Sequence, residues 1–219
     1  MSAVTSDQTK AGVLFAICAY TMWGIAPIYF KLLDSIPASE ILIHRVVWSS
    51  LVLSFLVIGL RNIDKVKAAL LSPKVMGILF LAGGLLGLNW FVFIWAVNNN
   101  YLLEASLGYY INPLINVFLG RLFLGEILRP LQKIAVVIVI VGVLVMVLNY
   151  GRLPWIALTV AVSFSIYGLL RKQANVNAIP GLFIETLMML PAALIYWLWF
   201  AKVSSDFSVN STYLNVMLV

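Results

Sequence analysis

The sequence predicts an all-α polytopic membrane protein, a bundle of transmembrane helices, and three observations carry that prediction. Of its 219 residues 63% are hydrophobic and only 10% charged, with a mean hydropathy of +1.05, well outside the range of soluble domains. Apolar runs of about 20 residues, enough to cross the hydrocarbon at helical rise, recur along the chain. The connections between them, such as "LLDSIPAS", "NNNYLL" and "LNYGRLP", are too short to hold a soluble domain. Functional chemistry is therefore expected in or between the helices.

The runs lie at 11–33, 39–60, 75–97, 103–124, 132–148, 154–170 and 180–201. An eighth begins at Tyr213 in "YLNVMLV". The first run is too long for a cleavable signal, carries Trp23 and Pro27, and is followed by no small-residue cleavage site, so it reads as a span. With Cys18 as the only cysteine an intramolecular disulfide is impossible.

Orientation follows from basic residues. If the N-terminus is cytoplasmic, ten fall inside: Lys10, Arg61, Lys65, Lys67, Lys74, Arg121, Arg129, Lys133, Arg171 and Lys172. Three fall outside, Lys31, Arg152 and Lys202. That bias predicts an N-in topology. It also accounts for the net charge of +6 without a nucleic-acid partner.

Catalysis is not expected. His44 is the only histidine, which leaves no metal-ligand cluster and no readily built nucleophile–histidine–carboxylate arrangement. No Walker-type Gly-rich loop is present, so no nucleotide or other cofactor is expected.

The fourth run is the most informative. Glu104, Gly108, Asn112, Asn116 and Gly120 recur every four residues and so share one side of a helix. Pro113 sits mid-run and frees the carbonyl of Tyr109. Asparagine amides facing lipid would be costly, so Asn112 and Asn116 should face protein or a water-filled cavity, either as interhelical glue or as cavity lining. Trp23, Gly24 and Pro27 interrupt the first run, Asn89 and Trp90 the third, and Glu185 and Pro191 the seventh. Trp23 and Trp90 lie deeper than the aromatics expected at the interface.

Arg45, beside His44 in "ILIHRVVWSS", either snorkels to the headgroups or pairs across helices. Glu104 enters the membrane from the same side and is the expected partner. Glu40 lies one turn before His44 and is placed to hydrogen-bond it. Together Glu104, Arg45 and His44 suggest an outer gate or proton-sensitive site. Glu104 and Glu185 are the candidate acids should transport be coupled to protons.

A weak internal repeat relates "AYTMWG" (19–24) to "SFSIYG" (163–168). A repeat of five spans, an odd number, would enter the membrane inverted, as in many transporters.

The motifs "YTMWGIAPIYFKLL", "PASEILIHRVVWS", "NWFVFIWAVNN", "LEASLGYYINPLINVFLGRLFLGE" and "LPWIALTVAVSFSIYGLLRK" cover nearly the whole chain. They resemble the EamA family of the drug/metabolite transporter superfamily, and within it the RarD type of bacterial inner membranes. The resemblance implies two inverted five-helix repeats: residues 1–148 as the first, with 154–219 starting the second. It also implies a central cavity and export of small metabolites or drugs by alternating access. It places Trp23, Gly24 and Pro27 in a broken first helix lining the cavity, Asn112 and Pro113 in the fourth, and Tyr167 with Gly168 as counterparts of Trp23 and Gly24. Glu126 would cap the fourth helix. Ten helices are implied where seven to eight are visible, so the chain reads as a fragment of a protein of roughly 300 residues. The expected partners are the lipid bilayer and a small-molecule substrate, with proton coupling and a homodimer left open. A non-transporting membrane assembly module and a passive channel are the alternatives.

Overall fold

The computed structural model describes residues 6–125, 127–151, 153–201 and 212–218. Glu126, Arg152 and Lys202 lie outside the described residues, and with them the expected cap by Glu126. Nine helices form among the described residues: α1 (Ser6–Leu32), α2 (Ala38–Gly59), α3 (Ile63–Leu70), α4 (Pro73–Asn98), α5 (Leu102–Leu124), α6 (Pro130–Tyr150), α7 (Trp155–Ala174), α8 (Ala178–Trp199) and α9 (Thr212–Leu218). All seven expected spans are helices. Among the described residues six helices are long and apolar enough to cross a membrane: α1, α2, α4, α6, α7 and α8. The expected fourth span, α5, is long enough, but Glu104, Asn112, Asn116 and Arg121 dilute its apolar content. Those polar groups are tolerable because much of α5 packs on α7.

Helix ends follow local chemistry. Ser72 caps α4 by accepting the Val75 amide, with Pro73 in the first turn where its missing N–H costs nothing. At the end of α5, Gly125 adopts φ +66° and its amide bonds back to the Gly120 carbonyl, a left-handed stop that glycine allows without strain. The α3 helix was not expected: its basic residues read as loop, yet Val66 and Ala69 turn inward and are buried.

One expectation is corrected. The helices containing Pro27, Pro113 and Pro191 are continuous and unbroken. Proline removes one amide donor per site, and a long helix held by its neighbours absorbs that loss.

The central element is α4. It packs against α2 and α8 on one side and α7 and α5 on the other, with α1 alongside. The α6 helix packs chiefly along α5 and has no buried residue. One apolar cluster (Phe30, Leu33, Ile41, Phe93, Ala96, Ile156) fills the end of the bundle where α1 meets α2. A second (Val66, Leu79, Ile184) fills the end bearing α3.

Candidate functional site

Four helices send side chains to one place. Arg45 of α2 holds its guanidinium carbon 4.4 Å from the ring centre of Trp90 on α4 and 5.2 Å from that of Phe30 on α1. Beside it, Trp23 of α1 stacks on Phe93 of α4 (6.0 Å, 22°), and both meet Tyr109 of α5 edge-on at 6.1 and 5.7 Å. Tyr29 donates its hydroxyl to the Met217 carbonyl of α9 at 2.6 Å. Phe93 is buried, but Arg45, Trp90 and Tyr109 are half-buried and Trp23 is 38% exposed, so the group is open on one side. The expected cavity residues Trp23 and Trp90 are thus brought together. Phe30, Phe93 and Tyr109 were missed, because an aromatic among twelve phenylalanines and nine tyrosines carries no signal until the helices are placed.

The expected gate does not assemble. Glu104 does not pair with Arg45: it caps α7, accepting the Ile156 amide at 2.9 Å and the Tyr150 hydroxyl. A carboxylate at a helix N-terminus satisfies an orphan amide and the positive end of the dipole together. His44 faces α8, where its ring lies 4.7 Å from that of Trp197, with Glu40 as its electrostatic neighbour. Successive residues on a helix point about 100° apart, so the adjacent His44 and Arg45 serve different interfaces.

The asparagines lie on the α7 side. Asn89 is buried and donates to the Val160 carbonyl (2.9 Å) and the Ser163 hydroxyl (3.0 Å), which makes it glue between α4 and α7. Replacing Asn89 by leucine is expected to lower the unfolding free energy by about 0.6–1.7 kcal/mol, measured by reversible unfolding in mixed micelles. Asn112 donates to the Ala161 carbonyl (3.4 Å), Ser165 donates to the Asn112 carbonyl (3.4 Å), and Asn116 donates to the Asn112 side chain (2.6 Å). Asn116 also borders a cavity of about 300 Å³ with Gly120, Ser165, Gly168 and Lys172. Pro113 is exposed beside this network.

The remaining expected residues fall elsewhere. Around Gly24 an added Cβ would meet nothing within 4 Å. Pro27 lines a groove of about 420 Å³ with Lys31, Val97, Asn100 and Leu102. Glu185 of α8 is fully buried, 3.4 Å from the Arg171 guanidinium of α7, and accepts the Tyr167 hydroxyl at 3.2 Å. Arg171 was read only as an orientation charge; its pairing with an acid fourteen residues on becomes visible once α7 and α8 form a hairpin. Among the described residues no group of three His, Cys, Asp or Glu is placed to hold a metal ion.

Residues 10–148 match the EamA-like transporter family. The chain is 51% identical over 219 residues to an uncharacterized transporter of Vibrio cholerae, covering 99% of this chain and 72% of that protein. It is 48% identical over 215 residues to protein RarD of Escherichia coli (98% and 73%), and 36% identical over 193 residues to a chloramphenicol-sensitive protein RarD of Pseudomonas aeruginosa (85% and 64%). No solved structure matches.

Proposed function

The chain belongs to the EamA-like transporter family, and from that premise we propose that it exports a small organic solute across the bacterial inner membrane by alternating access. The observation that carries the reading is the convergence of α1, α2, α4 and α5 on one half-open group of rings around Arg45. A purely structural core would bury all of these large side chains. Here Phe30 and Phe93 are buried, but Trp23 stays exposed beside the half-buried Arg45, Trp90 and Tyr109, an opening at which a solute would pause in a transporter that rocks around a fixed site.

The basic residues favour an N-in orientation. The "AYTMWG" and "SFSIYG" pair favours inverted halves, 1–148 and the start of a second at 154–219. In the bundle α7 packs on α4 and α5, and α8 on α2 and α4, so these segments interleave rather than sit apart. Both embedded acids are tied into helix junctions, Glu104 at α7 and Glu185 with Arg171. Exchange of solutes therefore demands less rearrangement than a proton-driven cycle.

The test is counterflow in proteoliposomes. Vesicles loaded with unlabelled amino acids, aryl amides and aryl sulfonates are expected to accumulate labelled members of the same set, saturably and only when protein is present. Unsaturable flux would point to a passive channel, and no flux to an assembly module. An imposed pH gradient that raises accumulation would restore proton coupling.

A further inference from the structure

We propose that the Arg45 guanidinium recognises an anionic group on the transported solute, so that the substrate class is a small organic anion with a flat apolar body. The inference rests on the transporter reading above and adds the charge of the cargo.

Depth comes first. Arg45 lies seven residues past Ala38, the start of α2, and Trp90 lies eight before Asn98, the end of α4, so both are about 10–12 Å along their helices. The guanidinium is turned onto Trp90 and Phe30.

Partners come second. Among the described residues no carboxylate pairs with Arg45 and none accepts a hydrogen bond from it. Four acids of the bundle are engaged elsewhere, Asp34 with Lys31, Glu104 at the α7 amide, Glu185 with Arg171, and Glu40 beside His44, and Asp64 lies on α3 at the other end of the bundle. Ring contacts act on the guanidinium as a point charge and leave its five N–H donors unused. A cation in a poorly solvated setting favours an anion that takes those donors, and a fork of N–H groups fits a carboxylate, sulfonate or phosphate.

A second, independent group points to the same place. Tyr109 feels Arg45 electrostatically, and its hydroxyl is buried on the Trp23 side of the cluster, where the donor-only Trp23 indole is its polar neighbour and no group accepts its proton. A buried hydroxyl proton is rarely left without an acceptor. An anion between Arg45 and Tyr109 would accept from both, and the exposed ring of Trp23 would cover an apolar body. A cationic solute would meet like charge.

The probes are benzenesulfonate, which stays anionic at any working pH, and its neutral relative benzenesulfonamide. Counterflow and quenching of tryptophan fluorescence are measured on the purified full-length protein. The wild type is expected to prefer the sulfonate by about tenfold, the scale of one charge-assisted contact. Arg45→Gln should bring the ratio of the two near one, and Arg45→Lys should recover part of it. Equal handling of both probes by the wild type, or a preference that survives Arg45→Gln, overturns the anion site while leaving transport intact. Arg45-dependent quenching by the sulfonate without flux of either probe overturns the transport reading and keeps the site. No quenching and no flux overturns both.

Discussion

Truncating Arg171 to alanine is expected to lower the unfolding free energy by about 3–5 kcal/mol, the cost of stripping one partner from a buried ion pair. The pair is enclosed: the side chains of Arg171 and Glu185 are 14% and 0% exposed, and the ions stand 3.4 Å apart. Without the guanidinium the carboxylate keeps the Tyr167 hydroxyl and loses its countercharge. The hairpin turn suffers as well. Arg171 reaches the carbonyls of Val176, Asn177 and Ala178 at 3.3–3.5 Å, just past Asn175, which holds φ +51°. Space for the guanidinium exists because position 181 is glycine; a Cβ there would fall on the Arg171 head group. Reversible unfolding in mixed micelles measures the loss, and the Arg171→Ala/Glu185→Gln double variant should regain part of it, since the stranded charge is then gone. Should Arg171→Ala unfold within about 0.5 kcal/mol of the wild type, as a surface change would, the enclosed pair does not hold α7 to α8.

The contrast between what could and could not be read in advance has a geometric origin. A run of apolar residues long enough to span the bilayer has to satisfy its backbone internally, so all seven spans became helices. The four-residue spacing of Gly108, Asn112 and Asn116 fixed a shared side, and Gly108 and Asn112 do meet α7. Sequence also gives the depth of Arg45. It does not give azimuth across helices, which decides whether Arg45 meets Glu104 or Trp90. Glu104 sits in the first turn of α5, where it reaches either the next helix across or the start of a later one, and the buried Ile156 amide, which has no partner within α7, wins it. Arg171 and Glu185 were separately legible as charges, but their meeting depends on the tight turn at Asn175. The α3 helix escaped notice because its eight residues, three of them charged, are far too short and polar to form a span, although its apolar residues do share one side.

The other large effect is expected at Gly108. Here α5 and α7 touch backbone to backbone: a Cβ would stand 2.8 Å from the Ala157 carbonyl oxygen, 3.3 Å from the Ala157 Cα and 3.2 Å from the Val160 Cβ. None of these atoms is the end of a flexible chain, and Ala157 and Val160 are 0% and 1% exposed, so neither can swing aside. Gly108→Ala therefore forces a shift costing about 1–3 kcal/mol. Gly108→Leu adds three more carbons and should part the two helices. Parting them would pull Glu104 from the Ile156 amide and Asn112 from the Ala161 carbonyl, leaving buried polar groups without partners at about 1–3 kcal/mol each. The α5–α7 seam carries close packing and hydrogen bonds together, as small-residue interfaces between membrane helices commonly do. Gly142→Ala serves as the control, since a Cβ there meets nothing within 4 Å; it should unfold within about 0.5 kcal/mol of the wild type. Yield of monodisperse protein and unfolding in mixed micelles report both variants. If Gly108→Leu behaved like Gly142→Ala, α5 and α7 would have to lie farther apart than a glycine contact allows, and the polar network between them would have to be redrawn.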